Sequence, residues 1–428
     1  MFKVAVIGAG STYTPELVDG ILRRREILPV EELVLMDIDE RKLRIVGALA
    51  QRMAAHVDEK LRVRLTMDLD DALDKATFVM AQIRVGKLPA RHLDESIPPT
   101  FGLIGQETTG IGGFFKGLRT IPVMMDIAGR MAARCPDAWL INFSNPSGMI
   151  AEALLRHTSV RMMGLCNVPI NMSASARKAV GDENAQIESV GLNHLSWITS
   201  VKSHGKECLG DLLDQGYAGE KPANIPKSNF DRECLLACGG IPNSYLLYYY
   251  DRQERLRHQQ EQEKTRAQVC MEIEEELLKL YVDEGLYEKP ALLDKRGGHL
   301  YSEAAVSLAE AIYNDTGACH VVNVQNGGVL PYLEKEEVAE IACAIGKNGA
   351  TPLPVQAQGT RHMVALIRTV KAYERLAVEA ALTGSREAAL AALMIHPLVG
   401  DYPRARDCFD ALLKAHAQYL PQFAEAGK

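Results

Sequence analysis

Cys166 and His194 are the residues whose types and placement first suggest chemistry. Cys166 stands in GLCNVP, just past an apolar run of Val160, Met162, Met163 and Leu165 that reads as a buried strand ending in a polar turn. His194 stands in GLNHLSW, 28 residues further on, in what reads as a similar position. Ligands and catalytic groups in open α/β sheets gather beyond the carboxyl ends of strands, so this thiol and imidazole could share one site. Together they could form a nucleophile with its base, or two ligands of a metal. In a chain with 9 Cys and 11 His, a single cysteine is more often a small buried apolar residue, so the pair gains weight only from the remaining sequence.

The elements that must position such a pair begin at the N-terminus. Residues 3–7 are apolar with little alternation, as in a strand buried on both faces. They run into Gly8-Ala9-Gly10-Ser11 and then Thr14-Pro15-Glu16, where Thr14 suits an N-cap and Pro15 the first helical position. Leu17, Val18, Ile21 and Leu22 then recur at helical spacing. Strand, glycine turn and helix make the opening of a dinucleotide site. The glycines let the backbone approach a pyrophosphate, and the helix N-terminus supplies unpaired N–H groups and positive potential. A second strand, 33–36, ends in Asp37, where a carboxylate would hydrogen-bond the adenosine ribose and favour NAD over NADP. Tyr13 stands where a GxGxxG fingerprint has its third glycine, so the signal lies in the ordered set rather than in the glycines alone.

A helix over 41–57 and a third strand over 78–83 follow, opening into Arg84-Val85-Gly86 and the charged segment 87–95. GLIGQETTGIGGFF, 102–115, is too rich in glycine and threonine for a regular element and is expected as a long loop over a site. A strand over 138–143 leads to Ser144-Asn145-Pro146-Ser147-Gly148, a turn that either presents Asn145 or uses its side chain to satisfy turn backbone. This β/α alternation predicts a doubly wound parallel sheet, with a nucleotide-binding domain over 1–168 and a second domain over 169–428.

From Gln186 the pattern changes, and the stretch after His194 reads as strands of a smaller sheet, then helix. IPNSYLLYYY, 241–250, sets four tyrosines at a helix start, a stripe more often core than chemistry. Residues 251–264 are almost wholly polar, a solvated helix face or a loop. A helical segment runs over 265–282, and Arg266 near its N-terminus opposes the helix dipole, a hint that it serves something else. LDKRGGHLYS reads as a turn into helix, VVNVQNGGVLP as a short strand and turn, and 361–382 as the clearest terminal helix.

At 428 residues the chain can hold two domains or one large α/β body with an added layer. Its 47% hydrophobic and 24% charged residues are ordinary for a soluble globular protein, and no apolar run approaches membrane-spanning length. A net charge of −7 argues against a nucleic-acid partner, although a few arginines can still bind a small anion. Nine scattered cysteines and an N-terminus without signal-peptide character point to reduced thiols in the cytoplasm.

GAGSTYTPEL, DIDE, GLIGQETTGIGGF, NFSNPSG, GLCNVP, GLNHLSW, NSYLLYY, TRAQVCMEIE and KRGG, in this order and spread nearly end to end, resemble glycoside hydrolase family 4, and within it the branch acting on 6-phospho-β-glucosides. The resemblance implies NAD-dependent hydrolysis in place of the usual two-carboxylate chemistry. Carbon 3 of the sugar is oxidised, a base removes the acidified proton of carbon 2, the aglycone leaves, water adds at carbon 1, and carbon 3 is reduced again. A divalent metal, manganese in this family, assists by stabilising developing charge. A Rossmann-like domain followed by a C-terminal α+β domain of the lactate/malate dehydrogenase type, and a homodimer or homotetramer, are also implied.

Carried over by motif, Cys166 and His194 are the metal ligands, an unusual thiolate for manganese. Tyr245 is the base, and Glu107 the acidic residue that raises its basicity. Arg91, Asn145, Asn167 and Arg266 bind substrate, with the arginines suited to the 6-phosphate. Gly8, Gly10, Ser11, Thr12, Asp37 and Arg84 face the cofactor. Asn167 also belongs to the catalytic set: α-acting members carry an aspartate after the cysteine as leaving-group acid, and an asparagine cannot protonate anything. That pattern resembles the β-acting branch; a 6-phospho-α-glucosidase is the alternative within the family. A lactate/malate-type dehydrogenase shares the opening, but it needs a catalytic Asp–His pair that GLCNVP and GLNHLSW do not supply. A catalytically inert NAD-binding protein would not need every position of this chemistry filled, as it is here.

Overall fold

The computed structural model describes residues 2–219, 230–296 and 301–424, so Gly297 and Gly298 of KRGG lie outside the described residues. Apolar runs of the N-terminal half form the middle of one sheet: β1 (Lys3–Ile7), β2 (Glu32–Met36), β3 (Arg62–Thr66), β4 (Phe78–Ala81), β5 (Trp139–Asn142) and β6 (Arg161–Gly164). All six are parallel and lie in the order 3-2-1-4-5-6. Every residue of β1, β2 and β4 is buried, as both faces of a doubly wound sheet require. The chain reverses its winding between β1 and β4, which opens a crevice beyond their carboxyl ends.

A smaller antiparallel sheet follows, built from β7 (Gln186–Leu192), β8 (Leu195–Ser203), β9 (Lys206–Glu207) and β10 (Ile241–Pro242). The main sheet then resumes. β11 (Ala318–Gln325) pairs antiparallel with β6, β12 (Val338–Gly346) with β11, and β13 (Gly349–Pro352) with β12. Nine strands therefore share one sheet, and residues beyond 318 back the strand that carries Cys166.

Several local expectations need correction. His194 is not beyond a parallel strand; Asn193 and His194 form the two-residue turn of the β7–β8 hairpin, where His194 takes a left-handed φ of 63°. β3 and the short helix Leu69–Leu73 intervene before the strand expected third, and that strand ends at Ala81. The charged segment 87–95 belongs to the helix Lys87–Thr100. Thr14 is the first helical residue rather than the cap; its hydroxyl donates to Ala9 O at 2.8 Å and accepts from Gln82 Nε2 at 2.7 Å.

The glycine-rich stretch divides: 101–109 is loop, but Gly110–Arg134 is one helix of 25 residues. Its glycines serve close packing. A Cβ on Gly112 would meet Gln106 O at 2.4 Å and Asp94 O at 2.6 Å, and one on Gly113 would meet the Thr108 backbone at 2.4 Å. The polar segment 251–264 resolves as the helix Arg252–Glu261, from which Gln259 clasps the loop through both backbone groups of Gly105, at 3.0 and 2.8 Å.

A buried ionic clasp joins the two helices that flank this loop. Arg119 donates to both oxygens of Asp94, at 2.9 and 2.6 Å, and His416 Nε2 lies 3.0 Å from Asp94. All three side chains are out of water. Asp94→Ala leaves Arg119 buried without its counter-ion, and the unfolding free energy should fall by about 3–5 kcal/mol. Urea or thermal unfolding checks this; a loss under about 1 kcal/mol, the worth of an exposed pair, would show that the clasp matters little.

Candidate active site

One cleft of about 1270 Å³ runs from the β1–β4 crevice across to the smaller sheet, and it gathers most of the residues singled out from the sequence. At one end the turn after β1 presents Gly8, Gly10 and Ser11. Gly8 has φ 89°, and a Cβ there would lie 2.9 Å from Gln82 O, so neither the conformation nor the space admits a side chain. Asp37 Oδ2 accepts from Gly10 N–H at 2.7 Å and Oδ1 from Asp39 N–H at 2.8 Å. The carboxylate thus braces the glycine turn and still has lone pairs for a ligand. Thr12 stands apart: it is fully buried, and its carbonyl accepts from the Tyr281 hydroxyl at 2.8 Å.

Beyond β5, Asn142 carries the turn backbone, accepting from Ser144 N–H at 3.0 Å and donating to Ser144 O at 3.1 Å. That job therefore does not fall to Asn145, which lines the cleft with a buried Oδ1 that has no hydrogen-bond partner among the described residues.

Cys166 caps the helix Asn167–Val180, so Asn167 is its first helical residue and lines the cleft. The hairpin turn brings His194 Nε2 to 3.6 Å from Cys166 Sγ. For a zinc-sized ion, with bonds of about 2.3 Å to sulfur and about 2.1 Å to nitrogen meeting at roughly 90–109°, the two ligand atoms stand about 3.1–3.6 Å apart, so the gap is of the size two ligands of one divalent ion have. Burial, with the charge of Lys116 adding to it, lowers the His194 pKa to about 3, which keeps the imidazole neutral with a lone pair to offer. Burial, reinforced by Glu340, pushes the Cys166 thiol up, so by itself it holds its proton. The ring of Tyr245 packs against His194, with centroids 4.2 Å apart, and is 6% exposed on the cleft wall.

Glu107 lies in a cage of cations. Lys116 Nζ is 2.6 Å away, Arg91 Nη1 3.0 Å, and Arg84 pairs with it as well. Burial opposes its ionisation, but Arg84, Arg91 and Lys116 outweigh this and hold the carboxyl well below the usual range. Arg91 is also shared with Glu95, at 2.6 Å. Arg266 reaches the cleft from the helix Arg266–Tyr281, where its Nη2 donates to the carbonyls of Lys295 and Arg296 at 3.2 Å each.

Two cleft residues were passed over or left undecided by sequence reasoning. Arg296 sits over the Tyr13 ring, 5.4 Å from its centroid, with Nε buried and unpartnered among the described residues. Lys116 is the other, and its signal was available: it is the lone charge in TTGIGGFFKGL. Burial, with Arg84 adding to it, lowers its pKa to about 7 despite Glu107.

For such a lysine the unfolded chain holds a proton that the folded protein releases above about pH 7, so the fold should gain stability as pH rises. The unfolding free energy of the wild type minus that of Lys116→Met should therefore increase between pH 7 and 9. A difference that stays flat would return the ammonium to its ordinary range.

A model described as family 4 glycosyl hydrolase matches residues 3–182, and its C-terminal domain matches 189–399. The chain is 42% identical to a probable 6-phospho-beta-glucosidase of Bacillus subtilis, with 98% of each chain covered. The solved structure of a 6-phospho-beta glucosidase from Thermotoga maritima with manganese, NAD+ and glucose-6-phosphate superposes with a TM-score of 0.89 at 34% identity, covering 98% of this chain and 99% of that one. Malate dehydrogenase from Plasmodium falciparum, 13% identical with a TM-score of 0.53 over 89% of this chain and 99% of its own, shares the fold. The N-terminal doubly wound sheet, the dehydrogenase-like C-terminal part and the two matched models agree: this chain belongs to the family 4 glycosyl hydrolases.

Proposed function

We propose that the chain hydrolyses 6-phospho-β-glucosides by oxidation at carbon 3, elimination, hydration and re-reduction. The observation that carries this reading is that one cleft joins the glycine turn and Asp37 to His194 and Tyr245, with Cys166 buried 3.6 Å behind His194. When bound, NAD would supply a hydride acceptor and manganese a Lewis acid.

The chain's own residues do the rest. The bare backbone of Gly8 and Gly10 accepts a pyrophosphate, and Asp37 offers its remaining lone pairs to the ribose. Cys166 and His194 would hold the metal, the thiol giving up its proton on binding. Tyr245 takes the proton from carbon 2. An unperturbed phenol, with pKa about 10, is a weak acid, and a cation held against its neighbour His194 favours the phenolate. Arg91 and Arg266 grip the 6-phosphate, with Arg84 and Lys116 beside Arg91 adding more positive charge than Glu107 removes. Glu107, a negative charge on the same cleft wall, raises the basicity of Tyr245. Asn145 and Asn167 bind sugar hydroxyls; Asn167 has no proton to give a leaving group, which supports the β over the α linkage.

In this reading the enzyme is a homodimer or homotetramer of the cytoplasm, where nine unpaired thiols suit a reducing environment. No helix among the described residues is long and apolar enough to cross a membrane.

The test is release of p-nitrophenol from p-nitrophenyl 6-phospho-β-glucoside, with manganese, reductant and NAD⁺ each added or withheld. Cleavage should need both manganese and NAD⁺ and accumulate no NADH. Steady NADH formation without cleavage would instead make the chain a dehydrogenase. Tyr245→Phe should slow turnover by about 100-fold or more while NAD titrates normally; an unchanged rate would remove it as the base.

A further inference from the structure

The three strands β6, β11 and β12 meet in register: Gly164 faces Asn323, and Asn323 faces Glu340. This brings a glutamate from far along the chain to the wall behind Cys166, two residues past Gly164. The approach is close, since a Cβ on Gly164 would meet Ser147 Oγ at 2.6 Å and Asn323 Cβ at 3.0 Å.

Glu340 is 1% exposed, between Ala339 and Ile341, where an apolar side chain would satisfy the core at less cost. What a carboxylate does there, and an apolar group cannot, is accept from several donors at once. Oε1 accepts from Asn193 Nδ2 at 3.0 Å and from Asn323 Nδ2 at 3.5 Å, and Oε2 accepts from the Ser196 hydroxyl at 3.3 Å. Ser196 Oγ accepts in turn from Asn243 Nδ2 at 3.2 Å, and Asn243 Oδ1 accepts from the Tyr245 N–H at 3.0 Å. Asn323 Nδ2 also reaches the carbonyl of Gly164, two residues before Cys166, at 3.4 Å. Asn193 shares the hairpin turn with His194. One buried carboxylate is thus linked, by side-chain hydrogen bonds, to the loop of Cys166, the turn of His194 and the helical turn of Tyr245.

We propose that Glu340 is a positioning residue for the hydrolysis, setting the spacing of Cys166, His194 and Tyr245 through Asn193 on one side and Ser196 and Asn243 on the other. The proposal rests on the assignment of Cys166 and His194 as metal ligands and Tyr245 as base. Glu340→Gln keeps the size of the side chain but turns an amide N–H₂ toward groups that are themselves donors.

The experiment titrates manganese into the full-length protein with NAD⁺ present, reading free Mn(II) by electron paramagnetic resonance, and then measures turnover at saturating metal. Outer partners of metal ligands typically change affinity about 10–100-fold. Glu340→Gln should accordingly raise the manganese Kd about 10-fold or more while leaving the NAD Kd unchanged. Its kcat should fall with KM held, and the isotope effect with carbon-2-deuterated substrate should grow. Wild-type manganese affinity and wild-type kcat in this variant overturn the proposal. If Glu340→Gln does not fold, Asn193→Ala decides, because it removes the link at a partly exposed turn: a raised manganese Kd supports the proposal and an unchanged one overturns it. Wild-type protein that binds no manganese overturns the metal assignment itself, and this proposal with it.

Discussion

The carboxylate of Glu107 is largely withdrawn from water on the cleft wall, and the desolvation of such a group is costly unless charge and hydrogen bonds replace the solvent. Three cations do so, and each arrives from a different direction: Arg84 from the segment after β4, Arg91 from the helix Lys87–Thr100 and Lys116 from the helix Gly110–Arg134. Arg91 then needs Glu95, whose other oxygen accepts from Ala267 N–H at 2.7 Å and anchors the helix that bears Arg266. A single buried charge thereby determines where four segments of the cleft wall sit. Its cluster also touches His194, where burial keeps the imidazole neutral, Lys116 adds to this and Glu107 opposes it.

The cleft is a junction of two architectures. The doubly wound half supplies a switch-point crevice and a glycine turn, parts suited to a dinucleotide. The antiparallel half supplies an imidazole on a tight hairpin and a tyrosine on a helical turn beside it. Joining them means that β11–β13 must extend the first sheet, and this extension brings Glu340 against Ser196 and, through it, Asn243 of the second. Buried, hydrogen-bonded polar groups beneath a site hold its reacting groups in one geometry, which loops alone do less well.

Much of this was legible along the chain. Lys3–Ile7, Gly8 to Ser11 and Asp37 announce a strand, a turn and an acid by residue type, since local backbone needs dictate them. The helical segment expected from 265 is there, with Thr265 as its cap and Gln268 completing a capping box. Other features were illegible because the deciding contact is remote. Gly112 and Gly113 look like loop residues until Asp94, Gln106 and Thr108 are seen pressing against their helix. Arg62 and Arg64 hide an edge strand among charges, and both pair with Glu32 on the neighbouring strand. Asn142 and Asn145 look interchangeable in a turn, and only coordinates show which one serves the backbone.

The sequence by itself determined the order of elements, the cofactor-binding opening and the motif set that marks the family. Periodicity, glycine placement and capping act over a few residues, so they can be read there. The tertiary structure decided that a thiol and an imidazole 28 positions apart stand 3.6 Å from each other, and that Lys116 and Glu340 belong to their surroundings. Those facts come from the register of β6 with β11 and β12 and from the pairing of buried charges. Both are set by which distant groups must satisfy one another once water is excluded, and no local pattern encodes that choice.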